Sequence, residues 1–431
     1  MRTFLTIWSG QTASLIGSKM SRFSLTIWMW EITEQTTALA LFAFFTQIPR
    51  ILIAPFAGII VDRYNRKLLM IAGDTVAGIS TIAILFLYLT HNLQIWHLYV
   101  VGSITGTFEQ IQELAYSATI SMMVPQKQYS RASSIGFLAN YSSNIMAPAL
   151  AGSLYYLISL AGILTIDLIT FVLAVTTVLF VQIPQPKITE TAQQSRPNIL
   201  HEISFGFRYI AKRPSLLALL LSASLFWFAH DIGAALYSPM ILARTGNDAR
   251  VLGTVASAAG IGGVLGALII TGWGGPKRRI NGFLLGMVGA GASKIVFGFG
   301  QMLFIWIPAQ FCSSLNFPLL GSSYDGIWLA KVKPAVQGRV FATRSMLMMI
   351  MSALGYLIAG PLADYVFEPA MKPEGSLVPI FGGIFGTGNG AGVALLYVIS
   401  SICLLLVGLS GYACRRLRDV ERLVPDRDEN F

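Results

Sequence analysis

Five ionisable residues stand inside stretches that are otherwise apolar and about as long as a bilayer is thick: Lys19, Arg22, Arg50, Glu109 and Glu113. An ionised side chain at membrane depth costs several kcal/mol unless it meets a partner or a water-filled cavity, so each is a candidate for function. Glu109 and Glu113 are four residues apart, which puts both on one face of a helix. Carboxylates so placed repel each other, and repulsion favours holding a proton on one of them at neutral pH. They are candidate proton-coupling groups, and Lys19, Arg22 and Arg50 are candidate linings of a substrate cavity. Two other arrangements of the same five residues stay open. The glutamates could simply neutralise the three cations in a closed ion network that is structural alone. Alternatively, the surplus cation could hold an anionic group of a cargo. Farther along, FWFAHDIGAAL carries a second candidate proton pair, His230 and Asp231. A histidine beside a carboxylate can change charge near neutral pH; a packed histidine with an aspartate bonded to a neighbouring helix is the alternative. Asp325 and Arg344 read as gate or loop contacts, Asp167 as bundle packing, and Lys294 as able to reach outward along its own stem.

The elements that carry these residues follow from composition. The chain has 431 residues, 54% of them hydrophobic and 12% charged. A soluble domain carries roughly a quarter charged residues. Half that density cannot cover a water-soluble particle of this length, and the long uncharged runs point into lipid. The expected fold class is an all-α polytopic membrane protein. With about twenty residues needed per crossing, twelve candidate transmembrane helices fall near 5–31, 38–61, 68–90, 96–123, 134–159, 163–182, 215–241, 251–272, 281–300, 302–329, 340–362 and 391–413. The first reads as an uncleaved span, since no small-residue cleavage site closes it.

The net charge of +10 is concentrated in every second turn and in the C-terminal tail. That places both termini and the basic turns in the cytoplasm of a multi-pass protein of the plasma (inner) membrane. The same distribution makes the basicity a matter of topology and of contact with membrane lipids, with no nucleic acid as partner. Three cysteines and four histidines show neither a disulfide framework nor ligand spacing, so no metal and no cofactor is expected. The one long cytoplasmic break divides the chain into 1–182, an N-terminal six-helix bundle; 183–214, a linker; 215–414, a C-terminal six-helix bundle; and 415–431, a tail. Within the linker, Ile199, Ile203, Phe207 and Ile210 share a helical face that suits the inner leaflet. The outer turn 371–390, rich in glycine, reads as a flexible cover. GxxxG at Gly262 and Gly266 suits close helix packing.

The stretch GIIVDRYNRK at 58–67 resembles the G-x-x-x-D-R-x-x-R-[KR] loop of the major facilitator superfamily, in its place between the second and third spans. VPQKQYSRASS, NIMAPALAG, GILTIDLITFVLA, PAVQGRVFA and IAGPLADYVFEPAM resemble its drug:proton antiporter branch, which includes macrolide and enterobactin-type exporters. The resemblance implies the major facilitator fold of two six-helix bundles. It implies a cytoplasmic gate motif at Gly58, Asp62, Arg63, Arg66 and Lys67, in which Asp62 holds the inner side closed and the cations either partner it or only set topology. It implies a helix-bend motif at Pro148 and Gly152, here with Ala147 where glycine is usual. The family's fourth-span arginine is absent, so its proton site does not carry over.

No phosphate-binding loop is present, so active transport would draw on an ion gradient. The expected function is secondary active transport by alternating access, with proton-coupled efflux of amphipathic small molecules such as drugs, natural products or siderophores. The expected partners are that cargo, protons and lipid, with the protein a monomer and not an enzyme. An importer of the same fold and a non-transporting scaffold or sensor are the rivals.

Overall fold

In the computed structural model, residues 2–124, 129–181 and 199–424 are described. Among them all regular structure is helical: α1 (Arg2–Thr33), α2 (Thr36–Arg63), α3 (Arg66–Leu89), α4 (Ile95–Met123), α5 (Tyr129–Phe180), α6 (Ile199–Ala211), α7 (Pro214–Thr245), α8 (Ala249–Trp273), α9 (Arg279–Phe299), α10 (Leu303–Lys331), α11 (Pro334–Leu362), α12 (Glu368–Met371), α13 (Val378–Phe385), α14 (Ala391–Ala413), α15 (Arg415–Arg418) and α16 (Val420–Leu423). Nine helices among the described residues are long and apolar enough to cross a membrane. Helices are the economical answer in lipid, because each satisfies its own backbone polar groups. The chain is an integral membrane protein. One of the nine, 139–180, is 42 residues long. Helix α5 breaks inside it at Ser159, whose φ of 58° lies in the left-handed region, so the stretch reverses into two arms.

Local chemistry fixes where the helices begin and end. The Asn65 side chain accepts from the amides of Lys67 (2.9 Å) and Leu68 (3.3 Å), so the last residues of YN start α3. Asp248 does the same for α8 through Arg250 (2.8 Å) and Val251 (3.3 Å). Glu368 accepts from Gly390 (2.7 Å) and Val393 (3.1 Å) and opens α14. Gly246, with φ of 62°, closes α7 in the left-handed conformation.

Two compact units emerge: Met1–Glu34, Leu41–Arg196 and Asn247–Ser257 in one, and Gln35–Ala40, Pro197–Gly246 and Ala258–Phe431 in the other. In the first, α1 lies closely along the second arm of α5. A Cβ at Gly17 would come within 3.0 Å of Asp167 Oδ1, so only glycine permits that approach. The second is organised around a core of Phe226, Phe283, Leu284, Met287, Ile327 and Trp328, all fully buried. Gly262 and Gly266 seat α8 against the α10 backbone at Phe311 and Leu315. Large apolar residues such as Phe86, Leu157 and Phe304 point outward, as a lipid solvent requires.

Three expectations change here. Helix α6 does not rest on lipid alone: Gly206 packs on Thr343 of α11 and Ile210 enters the core, while Phe207 is exposed. The side chains of Ile199 and Ile203 lie outside the described residues. Segment 371–390 is not a plain flexible cover, since it contains α13, whose Phe385 is buried and stacks on Phe299 at 5.3 Å. Arg244 fastens it, donating to Phe385 O (3.2 Å) and Gly300 O (2.9 Å). Lys294 does not reach outward; it is 5% exposed, with Nζ 3.4 Å from the Tyr397 hydroxyl. Its ammonium lies 5.6 Å from the Tyr397 ring, so the stem turns into the bundle and not along it to an interface. Of the linker and tail, 182–198 and 425–431 lie outside the described residues, as do 125–128 of the VPQKQYSRASS motif.

Candidate functional site

In the first unit, α1, α2 and α4 bring four charges into one chain of contacts. Arg22 Nη2 meets Glu109 Oε1 at 2.7 Å, and Arg50 meets Glu109 Oε2 at 3.2 Å and Glu113 Oε2 at 3.1 Å. The i, i+4 spacing of the glutamates on α4 opens a gap that one guanidinium fills with two prongs. Arg50 can stand there because Gly106 lets α4 close onto α2, where an added Cβ would lie 3.5 Å from Arg50 Cγ and would meet the Thr46 carbonyl. Repulsion between the two carboxylates is therefore offset by a shared cation. Glu109 is pinned by two arginines, whereas Glu113 meets Arg50 alone among the described residues and has a side chain 70% exposed. Glu113 is the more exposed of the two carboxylates.

Lys19 is not part of this network. Its ammonium donates to Ser143 Oγ (2.7 Å) and Asn144 Oδ1 (2.7 Å) of α5, both neutral. Three cations and two carboxylates thus resolve into a four-membered ion cluster and one lysine with no counter-charge among the described residues.

The second unit places His230 and Asp231 differently. The His230 ring stacks on Trp227 at 5.0 Å and lies 4.9 Å from Phe317, with Phe226 edge-on at 6.4 Å. His230 Nδ1 is 4.0 Å from Asp231 Oδ1, and it is a buried nitrogen with no hydrogen-bond partner among the described residues. Asp231 is 8% exposed and is bonded by the Ser352 side chain. Lys294 and Tyr397 join the cluster from α9 and α14. The pair is sealed among aromatic faces. Nearer the basic-loop end, Arg344 meets Asp325 at 2.9 Å and lies over the Tyr324 ring at 4.9 Å.

The side chain of Asp62 in the loop motif lies outside the described residues. Arg63 is exposed. Arg66 donates to the Ala118 carbonyl (2.9 Å), and Lys67 donates to the Leu179 (2.8 Å) and Val181 (2.8 Å) carbonyls. Lys67 caps the carbonyl end of α5, where a helix carries its negative pole, and Arg66 bonds α4 somewhat short of its end. A Cβ at Gly58 would meet nothing within 4 Å. Pro148 and Gly152 behave otherwise: a Cβ on Gly152 would meet Ala249 O at 2.6 Å, and one on Gly253 would meet Pro148 O at 2.5 Å. There the backbones of α5 and the first turns of α8 touch.

Sequence reasoning passed over Asp74. It is 5% exposed on α3, and its oxygens accept from Gln11 Nε2 of α1 (2.9 Å) and Gln112 Nε2 of α4 (2.6 Å). Asp167 is likewise buried, accepting from Ser18 (3.1 Å) and Thr81 (3.1 Å). The signal for Asp74 was present, since a carboxylate two turns into an apolar span meets the same depth criterion that selected Glu109.

Comparison with known proteins agrees with this architecture. The family model described as Major Facilitator Superfamily matches residues 7–356. The chain is 27% identical to Macrolide efflux protein A of Streptococcus pyogenes over 368 residues, covering 84% of this chain and 90% of that protein. It is 23% identical to an uncharacterized MFS-type transporter, YfiS, of Bacillus subtilis, over 97% and 94% of the two chains. Among solved structures, the nucleoside transporter NupG superposes with a TM-score of 0.68 at 13% identity, over 95% of this chain and 99% of that one. A bacterial homologue of the iron transporter ferroportin gives the same TM-score, 0.68, at 13% identity over 95% and 98%. At such identities the structural likeness concerns the fold.

Proposed function

From the premise that this chain belongs to the Major Facilitator Superfamily and is a transporter, we propose that it exports amphipathic small molecules in exchange for protons. Twelve crossings follow if α1 and α4 are counted beside the nine apolar helices and α5 is counted as two arms. Those two helices carry Lys19, Arg22, Glu109 and Glu113, residues suited to a polar lining. The bundles would work by alternating access, in the plasma membrane, with both termini in the cytoplasm.

The observation that carries the reading is the three-residue bridge Glu109–Arg50–Glu113, open to solvent at Glu113. A proton arriving on Glu113 removes the charge that Arg50 holds and weakens that bond. A cationic amine of the cargo can compete with Arg50 for the same carboxylate. Proton and cargo then exclude each other at one group, which is what exchange requires. Similarity to a macrolide efflux protein supports efflux and an amphipathic cargo. Lys19, whose partners among the described residues are neutral, supports room for an anionic group of some cargoes.

The test is flux. The protein is reconstituted into vesicles with a pH dye inside, and amphipathic compounds are screened for proton movement. Glu109→Gln combined with Glu113→Gln serves as the comparison. A compound that drives proton flux in the wild type and none in the double variant is the expected result. Cargo movement without protons would end the coupling and leave the fold intact.

A further inference from the structure

We propose that Asp74 is a second proton-binding site, built into the packing of α1, α3 and α4 away from the solvent-reached glutamates. The inference deepens the proton-exchange reading and rests on it. Asp74 is 5% exposed, and the groups that hold it are neutral. From α1 it is faced by Gln11 and from α4 by Gln112, with Tyr116 one turn beyond Gln112. Glu109 and Glu113 of α4 are engaged with Arg22 and Arg50. On α3 itself, Arg66 and Lys67 lie two turns away and are bound to backbone carbonyls. The carboxyl that α5 contributes, Asp167, is bonded to Thr81, two turns farther along α3. No cation reaches Asp74 by a salt bridge among the described residues.

A buried carboxyl group in such a setting needs partners that suit it with and without a proton. The two glutamines supply them. The Gln112 contact is 2.6 Å, shorter than an ordinary amide N–H···O bond and within the range of O–H···O bonds. A half-turn of the Gln112 amide exchanges its oxygen and nitrogen in place. With the nitrogen toward Asp74, both carboxylate oxygens accept. With the oxygen toward it, a protonated Asp74 donates its O–H and still accepts from Gln11 at 2.9 Å. The step balances simply: a proton from water binds Asp74 Oδ1, the charge goes from −1 to zero, and Gln112 turns from donor to acceptor. Gly73 makes room for this, because a Cβ there would lie 2.5 Å from Gln112 Oε1. Asp167 is held by serine and threonine hydroxyls instead, those of Ser18 and Thr81 at 3.1 Å each.

The experiment uses infrared difference spectroscopy on the full-length protein in lipid, stepping the bath between acidic and alkaline pH. The expected result is a carbonyl band of a protonated carboxylic acid that titrates in the wild type, disappears in Asp74→Asn and survives in Asp167→Asn. Asp74→Asn mimics the protonated acid and can keep both glutamine bonds, and Asp74→Glu should restore a titrating band at a shifted midpoint. In vesicles, protons moved per cargo should fall about twofold in Asp74→Asn, one binding site of two being removed. A band that persists in Asp74→Asn, or is lost in Asp167→Asn alone, overturns the proposal. An unchanged proton-to-cargo ratio overturns its role in transport. The infrared measurement needs no cargo, so a wild type that moves cargo without protons would end the exchange reading while the band still decides Asp74.

Discussion

Arg50 and Lys294 are both cations at membrane depth, and the two units of the molecule treat them in opposite ways. Arg50 sits between two carboxylates, with its side chain 23% exposed and a solvent-reached glutamate at the end of the chain of contacts. Lys294 is 5% exposed and meets a phenol and aromatic faces, in a cluster whose acid, Asp231, is also buried. The first arrangement can exchange partners, because opposite charges in reach of water trade bonds at little net cost. The second is sealed, and a group there gains nothing by letting go. Charge at membrane depth therefore marks function only when the pairing can change. Under the proposed proton exchange, the glutamates of α4 are the groups that meet this condition and the His230 cluster serves as structure.

The largest expected effect tests the exchanging side. Arg50→Gln leaves Glu109 and Glu113 without their shared cation, and cargo flux should fall about 100-fold, the scale on which misplaced active groups act. If the Arg50 to Glu113 bond is the one that exchanges, adding Glu113→Gln to Arg50→Gln should cause far less further loss than Glu113→Gln causes alone. Independent, multiplying losses would break the comparison. A smaller effect is expected on the sealed side. Asp231→Asn with Lys294→Met removes both charges of the cluster at similar volume. The melting temperature should hold or rise, since replacing a buried ion pair is often neutral or stabilising by about 1–4 kcal/mol. Flux should stay within about threefold of the wild type, under 1 kcal/mol of barrier. Loss of proton flux there would move the coupling site into the second unit. The smallest effect is for His230→Phe. The ring occupies an aromatic stack between Trp227 and Phe317, and a volume-conserving swap should cost less than about 1.5 kcal/mol in thermal stability. Flux that loses its pH dependence in this variant would restore His230 as a carrier.

Much of the fold was legible in the chain. The apolar stretches fall where the long helices lie, and SLAG after 157 marks the reversal at Ser159. Gly262 and Gly266 announced a close helix pair. The candidate site was legible as a roster and not as an arrangement. Arg22, Arg50, Glu109 and Glu113 come together, while Lys19 goes to Ser143 and Asn144 instead. Lys294 was misjudged because a long stem can run outward or inward, and periodicity does not say which neighbours wait on either side. Asp74 was legible by its depth in an apolar span; its partners, glutamines from two other helices, were not, since they carry no charge signal of their own.

The sequence by itself determined that this chain is helical, that it lives in lipid, and which ionisable groups it carries to membrane depth. Those facts follow from hydropathy over about twenty residues and from the cost of bare backbone in hydrocarbon. The tertiary structure alone decided the pairings. Arg22 and Glu109 are 87 residues apart, and Gln11 and Asp74 are 63. A residue's direction turns by about 100° with each step along a helix. Which charge meets which is thus settled by how helices rotate and close on one another, at glycines such as Gly17, Gly73 and Gly106, and local pattern holds no record of that.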